Sequence, residues 1–330
     1  MSALPVTLND VRAAREAIHG LVHRTLLTGS RTLSQRSGFD VHLKLENLQK
    51  TGSFKPRGAI TTMKGLSPAD LARGVITISA GNHAQGVAYA ASVLGCRATV
   101  VMPLNASPAK AEAARGYGAE VILHGEIAQT FEKMNELREQ RSLVLVHPFD
   151  APGTIAGQGT VGLEILEDVP DTDLIVVGIG GGGLASGIAI ALKESRPGAR
   201  LIGVEPVGAP SMRRSFDEGK PVKLERTDTI ADGLAAPYAG TLNYEILKRY
   251  ADDVVLVTDD EIRMGMRFLL ERCKTLAEPA GAAATAAILS GKISAPSGAR
   301  VVSVVSGGNI GPELLARHLA AGPRGPVGSS

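Results

Sequence analysis

Short runs of β-branched residues recur along this chain, each followed by a helix-like stretch, and that alternation leaves few folds open. Val75-Ile76-Thr77-Ile78, Ala98-Thr99-Val100-Val101 and Glu120-Val121-Ile122-Leu123 have the continuous apolar character of strands covered on both faces. Val41-His42-Leu43-Lys44-Leu45 alternates instead, as a half-buried strand does. Helical stretches are expected over 84–94, 109–117 and 127–139, with a further strand over 143–146. Near the start, Thr7 stands three residues before Asp10, the spacing of a cap for a helix over 11–19 that Gly20 stops. A turn-rich segment over 148–159 then precedes strands at 174–177, 201–204, 254–257 and 301–305, and a last helix over 314–319. Repeated βα is the pattern of an open, mostly parallel twisted sheet with helices on both faces. Two such series without a Ser/Gly-rich linker predict an α/β protein of two lobes packed around a cleft.

A chain of 330 residues with 44% hydrophobic content buries a substantial core and lies above the size at which one core tends to divide. Aromatic residues make up only 3% and Trp is absent, so the core must be built from Ala, Val, Ile and Leu at close approach. Lys plus Arg total 35 against 33 for Asp plus Glu, which provides no field to recruit nucleic acid or an acidic membrane. Cys96 and Cys273 form no Cys-x-x-Cys pair and no zinc-ligand spacing. The first residues lack the charged and apolar regions of a leader, and no run reaches membrane-spanning length, so a cytoplasmic protein is expected. The segment 322–330, with almost nothing apolar, is expected to be a flexible tail.

Three motifs carry chemistry. In Thr51-Gly52-Ser53-Phe54-Lys55-Pro56-Arg57-Gly58, a lone lysine is wedged between an aromatic ring and a proline. Burial against Phe54 disfavours the ammonium and would free Lys55 to attack a carbonyl; the bland alternative is a surface lysine before a turn. The predicted strand 173–177 runs into Gly178-Ile179-Gly180-Gly181-Gly182-Gly183, and a helix follows directly. Glycine backbone N–H groups at a helix N-terminus form a phosphate seat, while the missing Gly-Lys-Ser/Thr ending excludes a Walker loop. Gly178, Gly180 and Gly183 also satisfy the dinucleotide fingerprint, with Glu205 as ribose acid, so an NAD-dependent oxidoreductase is a reading of a different class. Finally, Ser79-Ala80-Gly81-Asn82-His83-Ala84-Gln85-Gly86 follows a strand and opens a helix, which makes either a seat for a small carboxylate or an ordinary cap.

These residues resemble the fold-type II pyridoxal-phosphate enzymes, and among them the threonine and serine dehydratases with serine racemase. The resemblance spans nearly the whole chain. It rests on Lys44-Leu45-Glu46-Asn47 leading to Thr51 through Gly58, Ser79 through Gly86, Gly180 through Leu184, Ile230 through Leu234, Ala277-Glu278-Pro279-Ala280-Gly281, and Ser306-Gly307-Gly308-Asn309. It implies a large cofactor-binding domain over 1–50 and 151–321 and a small substrate-closing domain over 51–150. Lys55 would carry the Schiff base of pyridoxal 5'-phosphate, beside Phe54. Gly180, Gly181, Gly182, Gly183 and Leu184 would hold the phosphate, Asn82 the ring hydroxyl, and Ser306 the pyridine nitrogen. Ser79, Gly81, Asn82 and His83 would seat the carboxylate of an amino-acid substrate. A serine hydroxyl cannot keep the pyridine protonated, so elimination of a β-hydroxyl is favoured over transamination. Threonine would give 2-oxobutanoate and ammonia, and serine would give pyruvate.

Two departures narrow the expectation. Racemases of this family have a second serine where this chain has Ala80, which leaves dehydration dominant and places threonine dehydratase ahead of serine racemase, while a 3-hydroxyaspartate dehydratase stays open as an alternative. The family's divalent-cation ligands fall on Glu205, Ala209 and Ser211, and the missing Asp fits a monovalent cation or none. Glu278, before Pro279, is either a helix cap or part of the site. Homodimers or homotetramers are implied by the resemblance alone.

Overall fold

The computed structural model describes residues 4–321, so the expected tail lies outside the described residues. Among the described residues, ten strands form two sheets. The larger contains β1 (Leu27–Gly29), β2 (Asp40–Leu45), β7 (Leu174–Gly178), β8 (Arg200–Pro206), β9 (Asp253–Val257) and β10 (Arg300–Val305), in the order β1-β2-β10-β7-β8-β9. The smaller contains β3 (Val75–Ile78), β4 (Ala98–Met102), β5 (Glu120–Leu123) and β6 (Val144–Leu145), in the order β5-β4-β3-β6. All pairings are parallel except β1 with β2.

The strand orders fix where a ligand can go. In the larger sheet β7, β8 and β9 step outward in one direction, while β10 inserts on the other side of β7. In the smaller sheet β3, β4 and β5 step outward, while β6 returns to the other side of β3. Chains leaving the carboxyl ends of neighbouring strands diverge at such reversals and open a crevice. The loops leaving β7 and β10 are the glycine run and Ser306. Those leaving β3 and β6 are Ser79–Gly81 and His147–Pro148. All four line one cavity.

Small residues do the packing, as the shortage of aromatics requires. Ten of the 11 residues of the helix Pro279–Leu289 are buried, and most of them are alanine. The segment expected to be turn-rich is instead a 17-residue helix, Pro152–Asp168, begun by Pro152. Its glycines are crossing points. A Cβ on Gly157 would stand 2.5 Å from Arg57 O, one on Gly159 2.8 Å from Val11, and one on Gly162 2.8 Å from Ala191 Cβ. Glycine punctuates loops and permits close helix crossings alike, and composition alone does not separate the two.

Elsewhere boundaries shift by a few residues. The first helix begins at Leu8, with Thr7 and Asp10 forming the expected capping box, and β6 is shorter than the run that suggested it. Lys55 starts the helix Lys55–Lys64, where Pro56 sits in the first turn, so the alternative of a surface turn does not hold.

Under that helix lies a buried cluster of charges. Arg57 is fully buried and forks onto two carboxylates: Nε donates to Glu46 Oε2 at 2.8 Å, and Nη1 to Glu164 Oε1 at 2.7 Å. Lys44, also fully buried, donates to Glu164 Oε2 at 2.6 Å and to Thr25 O at 2.9 Å. Two cations meet two anions, and Thr160 and His23 O take remaining guanidinium protons. The alternation of β2 therefore breaks at Lys44, whose charge is matched from another helix.

Replacing Arg57 by methionine strands two buried carboxylates with Lys44 alone. The expected loss is about 3–5 kcal/mol of unfolding free energy, read from urea denaturation. A loss below about 1 kcal/mol would show that the cluster does not support the fold.

Candidate active site

The glycine run leaves β7 and enters the helix Gly183–Ser195. Gly182, at φ 102°, is the residue before the first turn, and no side chain caps it. A Cβ there would stand 2.6 Å from Asn243 Cβ. Asn243 Nδ2 in turn donates to Gly181 O and Phe149 O, both at 3.0 Å, and so holds the loop open. First-turn N–H groups of a helix lack intrahelical partners, and here the residues that carry them line the cavity.

Lys55 projects into the same cavity, where Nζ donates to Pro148 O at 2.8 Å and lies 5.1 Å from the centre of the Phe54 ring. Desolvation lowers its pKa to about 8, against the opposing pull of Glu278. Its backbone is pinned by the helix Asn82–Leu94: a Cβ on Gly86 would come within 2.9 Å of Lys55 Cβ.

The loop after β3 is not an ordinary cap. The helix Asn82–Leu94 begins after Gly81 with no side-chain cap, and Ser79 Oγ accepts only from Gly81 N–H, at 3.1 Å. Asn82 Oδ1 accepts from Asn309 at 2.8 Å, while its Nδ2 donates to Glu278 Oε1. His83 Nε2 donates to Val146 O at 3.0 Å. Burial, then the neighbouring Lys55, lower the His83 pKa to about 3, so the ring is neutral and Nδ1 is unprotonated. Its one N–H is spent on Val146 O, which leaves the backbone of the loop as the donor surface.

Glu278 is fully buried before the helix Pro279–Leu289, but its carboxylate does not cap that helix. Burial raises its pKa to about 7, and the nearest cation, Lys110 Nζ, is 3.7 Å from Oε2. Lys110 pairs more closely with Asp232 Oδ2, at 2.7 Å, and so joins the helix Pro108–Gly116 to the turn Asp232–Leu234. Ser306 ends β10 in the cavity wall, with Oγ 3.5 Å from Ala280 O.

Phe54, Lys55, Ser79, Gly81, Asn82, His83, the residues Gly180–Gly183, Leu184 and Ser306 are thus brought together. Glu205, Ala209 and Ser211 are not among them. Glu205 accepts the N–H groups of Met212 and Arg213, both at 2.8 Å, at the start of the helix Ser211–Glu218. It thus serves as a helix acid, with one backbone donor on each oxygen, and lies outside the cavity lining, away from a ribose-binding role. Among the described residues no cluster of three or more His, Cys, Asp or Glu stands at metal-binding spacing. The sequence did not single out Lys110, Asn243 or Gln158; tertiary contacts alone bring them here.

The cavity, of about 310 Å³, fits a phosphorylated pyridine aldehyde. It combines an uncapped glycine helix start, an amine kept close to neutral, and buried polar atoms without a partner: His83 Nδ1, both amide atoms of Gln158 and Glu278 Oε2. Orphaned polar atoms on one wall mark a place for a polar guest. Comparison with known proteins agrees. The L-threonine ammonia-lyase of Thermotoga maritima is 45% identical over 318 residues, 96% of this chain and 79% of that one. The catabolic L-threonine dehydratase TdcB of Escherichia coli is 44% identical over 93% of this chain and 94% of that one. The structure of maize serine racemase superposes with a TM-score of 0.91 at 37% identity, covering 96% of this chain and 97% of that one. Residues 18–307 match the model of the pyridoxal-phosphate dependent enzymes, and the chain belongs to that family.

Proposed function

We propose that this protein is an ammonia-lyase that converts L-threonine to 2-oxobutanoate and ammonia, and L-serine to pyruvate, by α,β-elimination. The observation that carries the reading is an amine with its pKa lowered to about 8, set in one cavity with a phosphate-type helix start and a carboxylate-type loop. The names of the Thermotoga and Escherichia relatives support the same reaction. When bound, pyridoxal phosphate supplies an electron sink for the charge left at Cα.

The residues divide the remaining work. Gly180 to Gly183 with Leu184 would seat the phosphate dianion through backbone N–H groups, and Asn82, oriented by Asn309 and Glu278, would serve the ring hydroxyl. Ser306 would offer the ring nitrogen a neutral hydroxyl. Ser79 and the N–H groups of Gly81, Asn82 and His83 hold the substrate carboxylate at a helix N-terminus. Once its amine is free, Lys55 Nζ takes the α proton, and its lowered pKa keeps it able to do so near neutrality.

Ala80 argues against the serine racemase alternative. Ala80 lines the cavity with a methyl group, which has no proton to deliver to the opposite face of Cα. No step of this reading draws on a cation at Glu205, Ala209 and Ser211, which stand outside the cavity lining. We read the two sheets as the large domain 1–50 with 151–321 and the small domain 51–150, which closes over substrate. A cytoplasmic homodimer or homotetramer completes the reading. No helix among the described residues is long and apolar enough to cross a membrane.

Lys55→Ala should lose the yellow colour of the bound cofactor and at least about 1,000-fold of the 2-oxo acid release; full rate with colour retained would refute the assignment. Capture of added pyridoxal phosphate by the cofactor-free protein should quicken about tenfold per pH unit below 8 and level off above it, since only the unprotonated amine attacks. A flat profile between pH 6 and pH 8 would sink this account. Ala80→Ser should produce D-serine from L-serine, detected by chiral chromatography; no D-serine above the parent level would mean that another group controls the far face.

A further inference from the structure

Three side chains of the helix Ile127–Gln140 line the cavity: Ile127, Phe131 and Met134. Their i, i+4, i+7 spacing puts them on one face of that helix. Ile127 and Phe131 are 55% and 38% exposed, so the helix presents large apolar groups to the cavity mouth without needing them for the core. Leu145, at the end of β6, extends the same apolar wall.

The charges around the cavity are already spoken for. No arginine lines it among the described residues; the basic groups are Lys55, Lys110, His83 and His147. Lys110 is held by Asp232 at 2.7 Å and faces Glu278 at 3.7 Å. His83 donates to Val146 O, and His147 Nδ1 accepts the N–H groups of Phe149 and Asp150 at 3.3 and 2.8 Å. Lys55 is the reacting amine. The acids Asp232 and Glu278 stand in the same lining. One substrate carboxylate has a seat on the Ser79–Asn82 loop. A second would meet an apolar helix face and two acids with no free cation among the described lining residues; the neutral Gln158 amide offers a hydrogen bond but no charge.

Building on the lyase reading above, we infer that this site accepts β-hydroxy amino acids with a single carboxylate and rejects dicarboxylic ones such as 3-hydroxyaspartate, with Phe131 as the specificity-determining side chain. A methyl on the β carbon gains contact with the apolar wall, which places threonine ahead of serine by a modest factor. Refusal of the second carboxylate is the larger effect, because a buried charge without a counter-charge is costlier than a lost methyl contact.

The test uses the holoenzyme and two readouts. Turnover is measured for L-threonine, L-serine and L-threo-3-hydroxyaspartate. Binding is followed by visible absorption with 2-methylserine and 2-methylaspartate, which lack the α proton and so cannot be eliminated. The expected kcat/KM for 3-hydroxyaspartate is at least about 100-fold below that for threonine, and 2-methylaspartate binds at least about tenfold more weakly than 2-methylserine. Phe131→Arg, or Phe131→Lys, should narrow both ratios by about tenfold or more, while Phe131→Leu leaves both within about threefold of the parent. Turnover of 3-hydroxyaspartate by the parent within about threefold of threonine overturns the inference, and so does a basic variant that is folded and active on threonine yet keeps the parent ratios. If binding discriminates as expected while neither threonine nor serine yields a 2-oxo acid, the lyase reading falls and the single-carboxylate selectivity stands.

Discussion

The buried charge cluster of Arg57, Glu46, Glu164 and Lys44 holds together the parts on which the site depends. It joins the end of β2, the helix that Lys55 begins and the long helix Pro152–Asp168. Taking four charges out of water is expensive, and only near-complete pairing with added hydrogen bonds recovers the cost. Such pairing tolerates little displacement. The guanidinium fork therefore sets where the first turn of the Lys55 helix lies, two residues from the reactive amine. The glycine crossing at Gly58 and Gly157 sets how closely that helix approaches its neighbour, since a Cβ on Gly58 would stand 2.5 Å from Gln158 Nε2.

Within the cavity, low polarisability pushes two groups the same way, toward neutrality. Burial lowers the Lys55 pKa to about 8 and raises that of Glu278 to about 7. The roles proposed for Lys55, attack on a carbonyl and later removal of a proton, call for this setting. Asn82, gripped by Asn309 and Glu278, is oriented before any ligand arrives, which limits the reorganisation that binding demands. Lys110 links Asp232 and Glu278 from the smaller sheet's side, so a salt bridge crosses the mouth of the cleft.

Much of the fold could be read along the chain, and for a definite reason. Strands in a parallel sheet are covered on both faces, so β3, β4, β7 and β10 appear as short runs rich in β-branched residues. The reading failed where one residue type serves two purposes. Glycines in Pro152–Asp168 looked like turns because their packing partners, Arg57 O, Val11 and Ala191, lie far away in sequence. Lys44 looked like the polar side of a half-buried strand because its counter-ion, Glu164, comes from a remote helix. Glu205 matched a ribose acid by spacing, and its oxygens each accept a backbone N–H at a neighbouring helix start.

The sequence by itself determined the reactive groups and their order: an amine beside an aromatic ring, a glycine run between strand and helix, and a short polar loop opening another helix. Those properties are local, fixed by backbone freedom and side-chain chemistry over a few residues. Only the tertiary structure decided which carboxylates and amides would surround the amine and how their charges would balance. Lys110, Asn243, Glu278 and Phe131 come from separate elements, and their roles depend on distances of a few ångströms, which are set when two strand-order reversals face each other across one cavity.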